Sequence, residues 1–440
     1  MNPRIFFWSL TSALAGFLFG FDTVVISGAE KTIQTLWGLS PELHGIAMAS
    51  ALYGTVVGAL AGGWPADRFG RKATLLWIGV LYLVGAVGSG LAPDVAAFIA
   101  ARFIGGLGIG VSTVVAPMYI SEIAPPQHRG RLAGMFQFNI VFGILIAFVS
   151  NWLLSGIGEN AWRWMLGVAA FPSFLYTLFC FSLPESPRWL LSRKGDREAA
   201  LQVLQRIQPN ASQEEIAGEA NAIAAASTPQ SSGRFWTHRL RKPILLAILI
   251  AFFNQMSGIN AVLYFAPRIF GLTGLAAKTA LLQSVGIGVT NFVFTFVGLW
   301  LIDQLGRRTL LYIGSVGYIA SLGLTAWAFF TGHYAIVPVC IFAFIAAHAV
   351  GQGAVIWVFI SEIFPNRHRA EGQTLGSFTH WVFAALITSF FPKMVAAFAP
   401  GYIFSFFTGM MVLQLIWVAT LVPETKGVPL EQMQKQLGIE

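Results

Sequence analysis

Apolar residues come in long runs along this chain, and the charged residues gather between them. Runs of roughly 20 residues, the length a helix needs to cross a bilayer, fall near 5–28, 44–66, 73–92, 95–120, 132–154, 162–183, 243–269, 276–302, 309–330, 334–360, 373–397 and 401–422. The runs are apolar all round rather than alternating, which predicts helices and not barrel strands. The pattern therefore predicts an all-α membrane protein of twelve spans. With the N-terminus placed inside, 21 of the 27 Lys and Arg lie on the inner side; five lie outside (Lys31, Arg163, Arg268, Lys278 and Lys393) and Arg102 is within a span. That bias predicts that both termini are cytoplasmic.

Composition sharpens the class. The chain is 56% hydrophobic and only 10% charged over 440 residues, against about 25% charged in an average soluble domain. Its two cysteines, Cys180 and Cys340, lie inside apolar runs, so no disulfide framework is expected. The net charge of +8 records membrane orientation, not a nucleic-acid partner. The first run is longer than the roughly 7–15 apolar residues of a signal peptide, and reads as a span. No phosphate loop, metal-ligand cluster or nucleophile arrangement is present; "GGLGIG" (105–110) is a helix-packing glycine run. The expectation is a non-enzyme without a cofactor.

The chain repeats itself. "GGWPADRFGRKATLLWIG" (62–79) matches "GLWLIDQLGRRTLLYIG" (298–314), "SEIAPPQHRG" (121–130) matches "SEIFPNRHRA" (361–370), and "PESPRWL" (184–190) is echoed in "PETKG" (423–427). This predicts a six-helix bundle over 1–183, a cytoplasmic linker over 184–242, a second bundle over 243–422 and a tail over 423–440. Within the linker, "DREAALQVLQRI" (196–207) has helical periodicity and "ASTPQSSG" (226–233) is flexible by composition. Two parallel six-helix units are a transporter architecture, with the substrate site expected at their interface.

Two charges sit in the apolar runs. Asp22 lies in "GFLFGFDTVVISGA" (16–29) and Arg102 in "ARFIGGLGIG" (101–110). At ~1.5 Å per residue they fall ~9 and ~10 Å from the outer ends of spans one and four. A pair is the cheapest arrangement for two such groups, and the glycines after Arg102 permit close helix packing. Such a pair fixes packing permanently or acts as a proton switch, the carboxyl gaining a proton when the guanidinium leaves; a third reading makes Asp22 a direct ligand of the substrate.

Neutral amides and aromatics also cluster in the spans. They are Gln137 and Asn139 in span five; Asn254, Gln255 and Asn260 in span seven; Asn291 in span eight; His348, Gln352 and Trp357 in span ten; and His380 and Trp381 in span eleven. Amides offer both donors and acceptors, and with aromatic planes they suit a polyhydroxylated ring. Gln255 and Asn260 are five residues apart, so a regular helix would turn them to different faces. Gly258 between them permits a break that turns both inward.

Taken together, the motifs resemble those of the sugar porter family of the major facilitator superfamily. They are "DRFGRK", "DQLGRR", "PESPRWL", "PETKG", the two SE-I-x-P-x-x-x-R segments and "NQMSGINAVLYF" (254–265), and the resemblance covers nearly the whole chain. It implies that Asp22 carries a proton and that Arg102 couples to it. It also implies sugar contacts for Gln137, Gln255, Asn260, Asn291 and Trp381, with Phe19 and Trp357 as nearby aromatics and Tyr264 at an outer gate. Asn254, Gln352 and His380 join the candidate binding set. At the cytoplasmic face it implies gating ion pairs bridging the bundles, drawn from Asp67, Arg68, Arg71, Glu122, Arg129, Asp303, Arg307, Arg308, Glu362 and Arg369. Three features depart from the family pattern. Asn254 stands where many members have Gln, Ile144 where xylose symporters have an amide, and "GQGAVIW" (351–357) lacks the usual prolines.

The expected function is proton-coupled symport of a hexose or pentose by alternating access, by a monomer in a bacterial inner membrane. A proton-independent uniporter and a non-transporting sugar sensor are the alternatives.

Overall fold

The computed structural model describes residues 2–125, 128–226 and 234–439, and no strand occurs among them. Among the described residues, twelve helices are long and apolar enough to cross a membrane: Pro3–Gly28, Pro41–Ala61, Arg71–Leu91, Val95–Ile123, Gly134–Leu154, Ala161–Cys180, His238–Tyr264, Ala277–Leu305, Arg307–Thr331, Tyr334–Ile363, Asn366–Ala397 and Pro400–Thr420. They are called spans one to twelve below. Many bulky apolar side chains point outward, including Trp77, Trp300 and Phe171. In a soluble protein such a surface would aggregate; facing lipid it costs nothing. The protein is a multi-pass membrane protein.

Local chemistry sets the helix ends. Asp94 caps span four by accepting from the Ala97 amide at 2.9 Å, and Ser40 Oγ accepts from the Leu43 amide at the start of span two at 3.2 Å. Gly70 and Gly306, with φ of 96° and 91°, start spans three and nine in a backbone conformation that L side chains avoid. Span ten breaks at Gly351 into Val337–Val350 and Gln352–Ile363. The bend therefore forms without the prolines, and Gly351 packs so tightly that a Cβ there would lie 2.8 Å from the Gly314 Cα.

Two compact units emerge. One takes in the chain up to Asp22, Tyr53–Ile144 and the segment from Leu166 into the linker. Its core includes Ile78, Tyr82, Ile109, Tyr119, Tyr176 and Cys180, all buried. The other takes in Thr23–Leu52, Leu145–Met165 and everything after the linker. It thus contains spans seven to twelve together with the last residues of spans one and five and the first residues of spans two and six. The predicted linker helix is present as Arg197–Ile207, capped by Asp196 and burying Ala200, Val203, Leu204 and Ile207. Most of the stretch expected to be flexible (226–233) lies outside the described residues.

Candidate functional site

Asp22 and Arg102 meet. The Arg102 Nη1 donates to Asp22 Oδ1 at 2.6 Å, and Nη2 donates to the Asp22 carbonyl at 3.1 Å. Both residues are buried, at 8% and 3% exposure. Span four reaches this position because it packs closely on span three: a Cβ at Gly85 would lie 2.7 Å from the Gly105 Cα. The second carboxylate oxygen, Oδ2, makes no hydrogen bond to the chain. One oxygen thus holds the guanidinium and the other keeps lone pairs to spare.

The amides of span seven form a ladder. Its long helix, Arg241–Met256, ends at Gly258, whose φ of 84° places it in the left-handed region, and Ile259–Tyr264 continues beyond. The break turns Asn260 back, and its Nδ2 donates to Gln255 Oε1 at 2.6 Å. Gln255 Nε2 donates to Asn254 Oδ1 at 2.8 Å and stands 3.3 Å from both ring nitrogens of His380. His380 in turn lies against Trp357 (5.3 Å between ring centroids) and edge-on to Trp381 (4.8 Å). Asn254, Gln255 and Asn260 are buried and Trp357 and His380 half-buried. Asn291 is half-buried on span eight, and Gln137 and Phe19 are half-buried in the first unit. Tyr264 is fully buried at the end of span seven.

Three members of the polar set have hydrogen-bond partners outside the ladder. Gln352 is fully buried; its Nε2 donates to Gln414 Oε1 at 2.8 Å, and Gln414 donates to Ser315 Oγ at 2.8 Å. This chain ties span ten to spans nine and twelve, and leaves the Gln352 Oε1 without a hydrogen bond. The His348 ring pairs with the Tyr318 hydroxyl at 2.6 Å, and Asn139 Nδ2 donates to the Met135 carbonyl at 2.8 Å.

The charged motifs build the same structure twice, once in each unit. Arg71 donates to Glu122 through Nε and Nη2, both at 3.0 Å, and to Asp67 at 3.2 Å and the Ala66 carbonyl at 3.0 Å. Arg307 does the same with Glu362 at 3.0 and 2.8 Å, Asp303 at 3.2 Å and the Ile302 carbonyl at 3.0 Å. Glu185 accepts from the amides of Arg71 and Lys72, and Glu424 from those of Arg307 and Arg308. Arg71 and Arg307 each bind the carboxylates of their own repeat. Arg308 donates instead to the Ala419 carbonyl at 2.8 Å, and Arg68 and Arg369 are exposed. The side chain of Arg129 lies outside the described set.

Glu185 and Glu424 were visible only as motif letters; their role as caps on a neighbouring helix start needed the fold. Their environments differ. Burial pushes the Glu185 carboxyl up, against the amides that favour its charge. Glu424 is shallower: burial works against it too, but the backbone amides win and hold it below the usual carboxylate range.

Twelve spans with an internal repeat, a buried acid–guanidinium pair and an amide–aromatic cluster define a secondary transporter. The family model for sugar (and other) transporters matches residues 8–437. Relatives include the arabinose-proton symporter of Bacillus subtilis, 35% identical with 97% of this chain and 94% of the relative covered. The D-xylose-proton symporter of Escherichia coli K12 is 33% identical, with 98% and 96% covered. The xylose transporter XylE from E. coli superposes with a TM-score of 0.88 in its inward open conformation and 0.84 in a partially occluded inward open one. Both are 31% identical and cover at least 97% of each chain. The chain belongs to the sugar porter family of the major facilitator superfamily; its members are transporters, not enzymes.

Proposed function

We propose that the chain carries a monosaccharide across the membrane together with a proton, exposing its site first to one side and then to the other. Its termini lie in the cytoplasm. The observation that carries the reading is the buried Asp22–Arg102 pair with its free carboxylate oxygen. While Arg102 holds Oδ1, the charged form is favoured; when the pair separates, an unpaired carboxylate in a dry site takes a proton to remove its charge. Conformation and protonation are thereby linked.

The sugar is held by the span-seven ladder. Gln255, Asn260 and Asn254 present interlocked donors and acceptors, which a sugar hydroxyl enters by exchanging one hydrogen bond for another. Trp357 and Trp381 supply apolar planes for the ring, and His380 orients the Gln255 amide. Asn291 on span eight adds a further amide, and Gln137 of the first unit is a separate candidate contact. The names of the relatives favour pentoses and hexoses.

The test is uptake of xylose, glucose, galactose, fructose and arabinose by proteoliposomes, each with and without an imposed pH gradient. Accumulation of at least one sugar only with the gradient, abolished by Asp22→Asn while downhill exchange continues, is the expected result. Uptake indifferent to both would make the protein a uniporter.

A further inference from the structure

A second buried cluster of charge lies in the unit that contains spans seven to twelve. Glu30 opens the short helix Glu30–Leu36 after span one and is 1% exposed. Arg268, on the helix Ala266–Gly271 beyond span seven, grips it with both arms of the guanidinium: Nε at 2.9 and 3.2 Å and Nη2 at 2.7 Å. The same Nη2 donates to Gln34 Oε1 at 2.5 Å. His44 of span two completes the group. It is 0% exposed, and its Nε2 lies 3.2 Å from Glu30 Oε2 without hydrogen-bond alignment. Neither ring nitrogen makes a hydrogen bond, and the Phe265 ring meets the imidazole edge-on at 6.0 Å.

The charge balance is instructive. Arg268 already neutralises Glu30. A proton on His44 here would place two cations around one buried carboxylate, which is costly. The imidazole is therefore an idle second partner, held beside the acid by span two. The other titratable groups on these elements and beside them are Lys31, which is exposed, Tyr53 of span two, Tyr264, and Glu42 and Lys393, which pair with each other at 3.4 Å in solvent.

We propose that His44 and Arg268 alternate as the partner of Glu30: when the helix Ala266–Gly271 lifts away and takes Arg268 with it, His44 binds a proton from the adjacent aqueous phase and holds the carboxylate in its place. Release of this clasp absorbs one proton at a site separate from Asp22. Acid favours the open clasp and base the closed one. The device changes how readily this end of span seven moves at a given pH, whatever the cargo.

Amide hydrogen exchange of the full-length protein in nanodiscs reads it directly. Divided by the intrinsic exchange rate, opening of residues 264–272 should increase from pH 8 to pH 6, by up to tenfold per pH unit for one linked proton. His44→Gln should flatten that slope with the segment protected throughout. Glu30→Gln should flatten it also, because neither cation is then needed. Circular dichroism and retained sugar exchange show which variants are folded. A flat wild-type profile overturns the proposal, and so does a slope that survives in either folded variant.

Discussion

Arg102 holds Asp22 through two contacts, one to a carboxylate oxygen at 2.6 Å and one to the main-chain carbonyl at 3.1 Å. The second contact matters because it does not depend on the charge of the acid. Protonating Asp22 weakens the first bond and leaves the second, so the guanidinium is loosened in steps.

Removing one partner of this pair leaves the other buried and uncompensated, at a cost of about 3–5 kcal/mol. Asp22→Leu or Arg102→Met alone should lower the melting temperature in detergent markedly. The double variant should be more stable than either single one. If both single variants melt like the wild type, the pair is not buried as described.

Gln255 accepts from Asn260 and donates to Asn254, so it orders both neighbours. Gln255→Ala should weaken sugar binding by about 10–100-fold, or ~1.4–2.8 kcal/mol. Asn260→Ala should weaken it less, since Gln255 and Asn254 keep their mutual bond. Isothermal titration with whichever sugar the uptake panel selects measures both.

Gln352 and Gln414 test the opposite case. Gln414→Leu strands the Gln352 amide in a fully buried site and should cost ~1–3 kcal/mol of stability. Sugar affinity should stay within a factor of two. A large loss of affinity with unchanged melting would return Gln352 to the binding site.

Gly70 and Gly306 carry positive φ, and an added Cβ would come 2.1 Å from Glu185 Oε2 and 2.6 Å from Glu424 Oε2. Alanine at either position should cost ~1–3 kcal/mol through backbone strain, and Gly70 should suffer more. Thermal unfolding of the two variants ranks them.

Glu424 gives an acid-side signature. Its carboxyl sits below its ordinary value of 4.5 when folded. Its contribution is therefore complete above that value and fades as pH falls through the lower folded one. The stability gap between wild type and Glu424→Gln should be constant near neutrality and close under acid, as read by melts from pH 7 to pH 3.

Much was legible from residue order alone. The spans follow from apolar length, because a bilayer demands about 20 residues whatever the neighbours do. The charged repeats are local motifs, and each folds onto its own half, so their spacing carries their meaning. The break at Gly258 was readable too, since only glycine tolerates that turn without strain. Other features were decided by tertiary structure. Gln352 and Gln255 look alike in an apolar run, yet one meets Gln414 and the other the ladder. Arg268 and Lys31 count equally as outer charges, but only Arg268 reaches a buried acid 238 residues away. No one-dimensional pattern encodes which polar groups become neighbours in a dry interior. There, hydrogen bonds form with whatever the packing of helices brings within 3 Å.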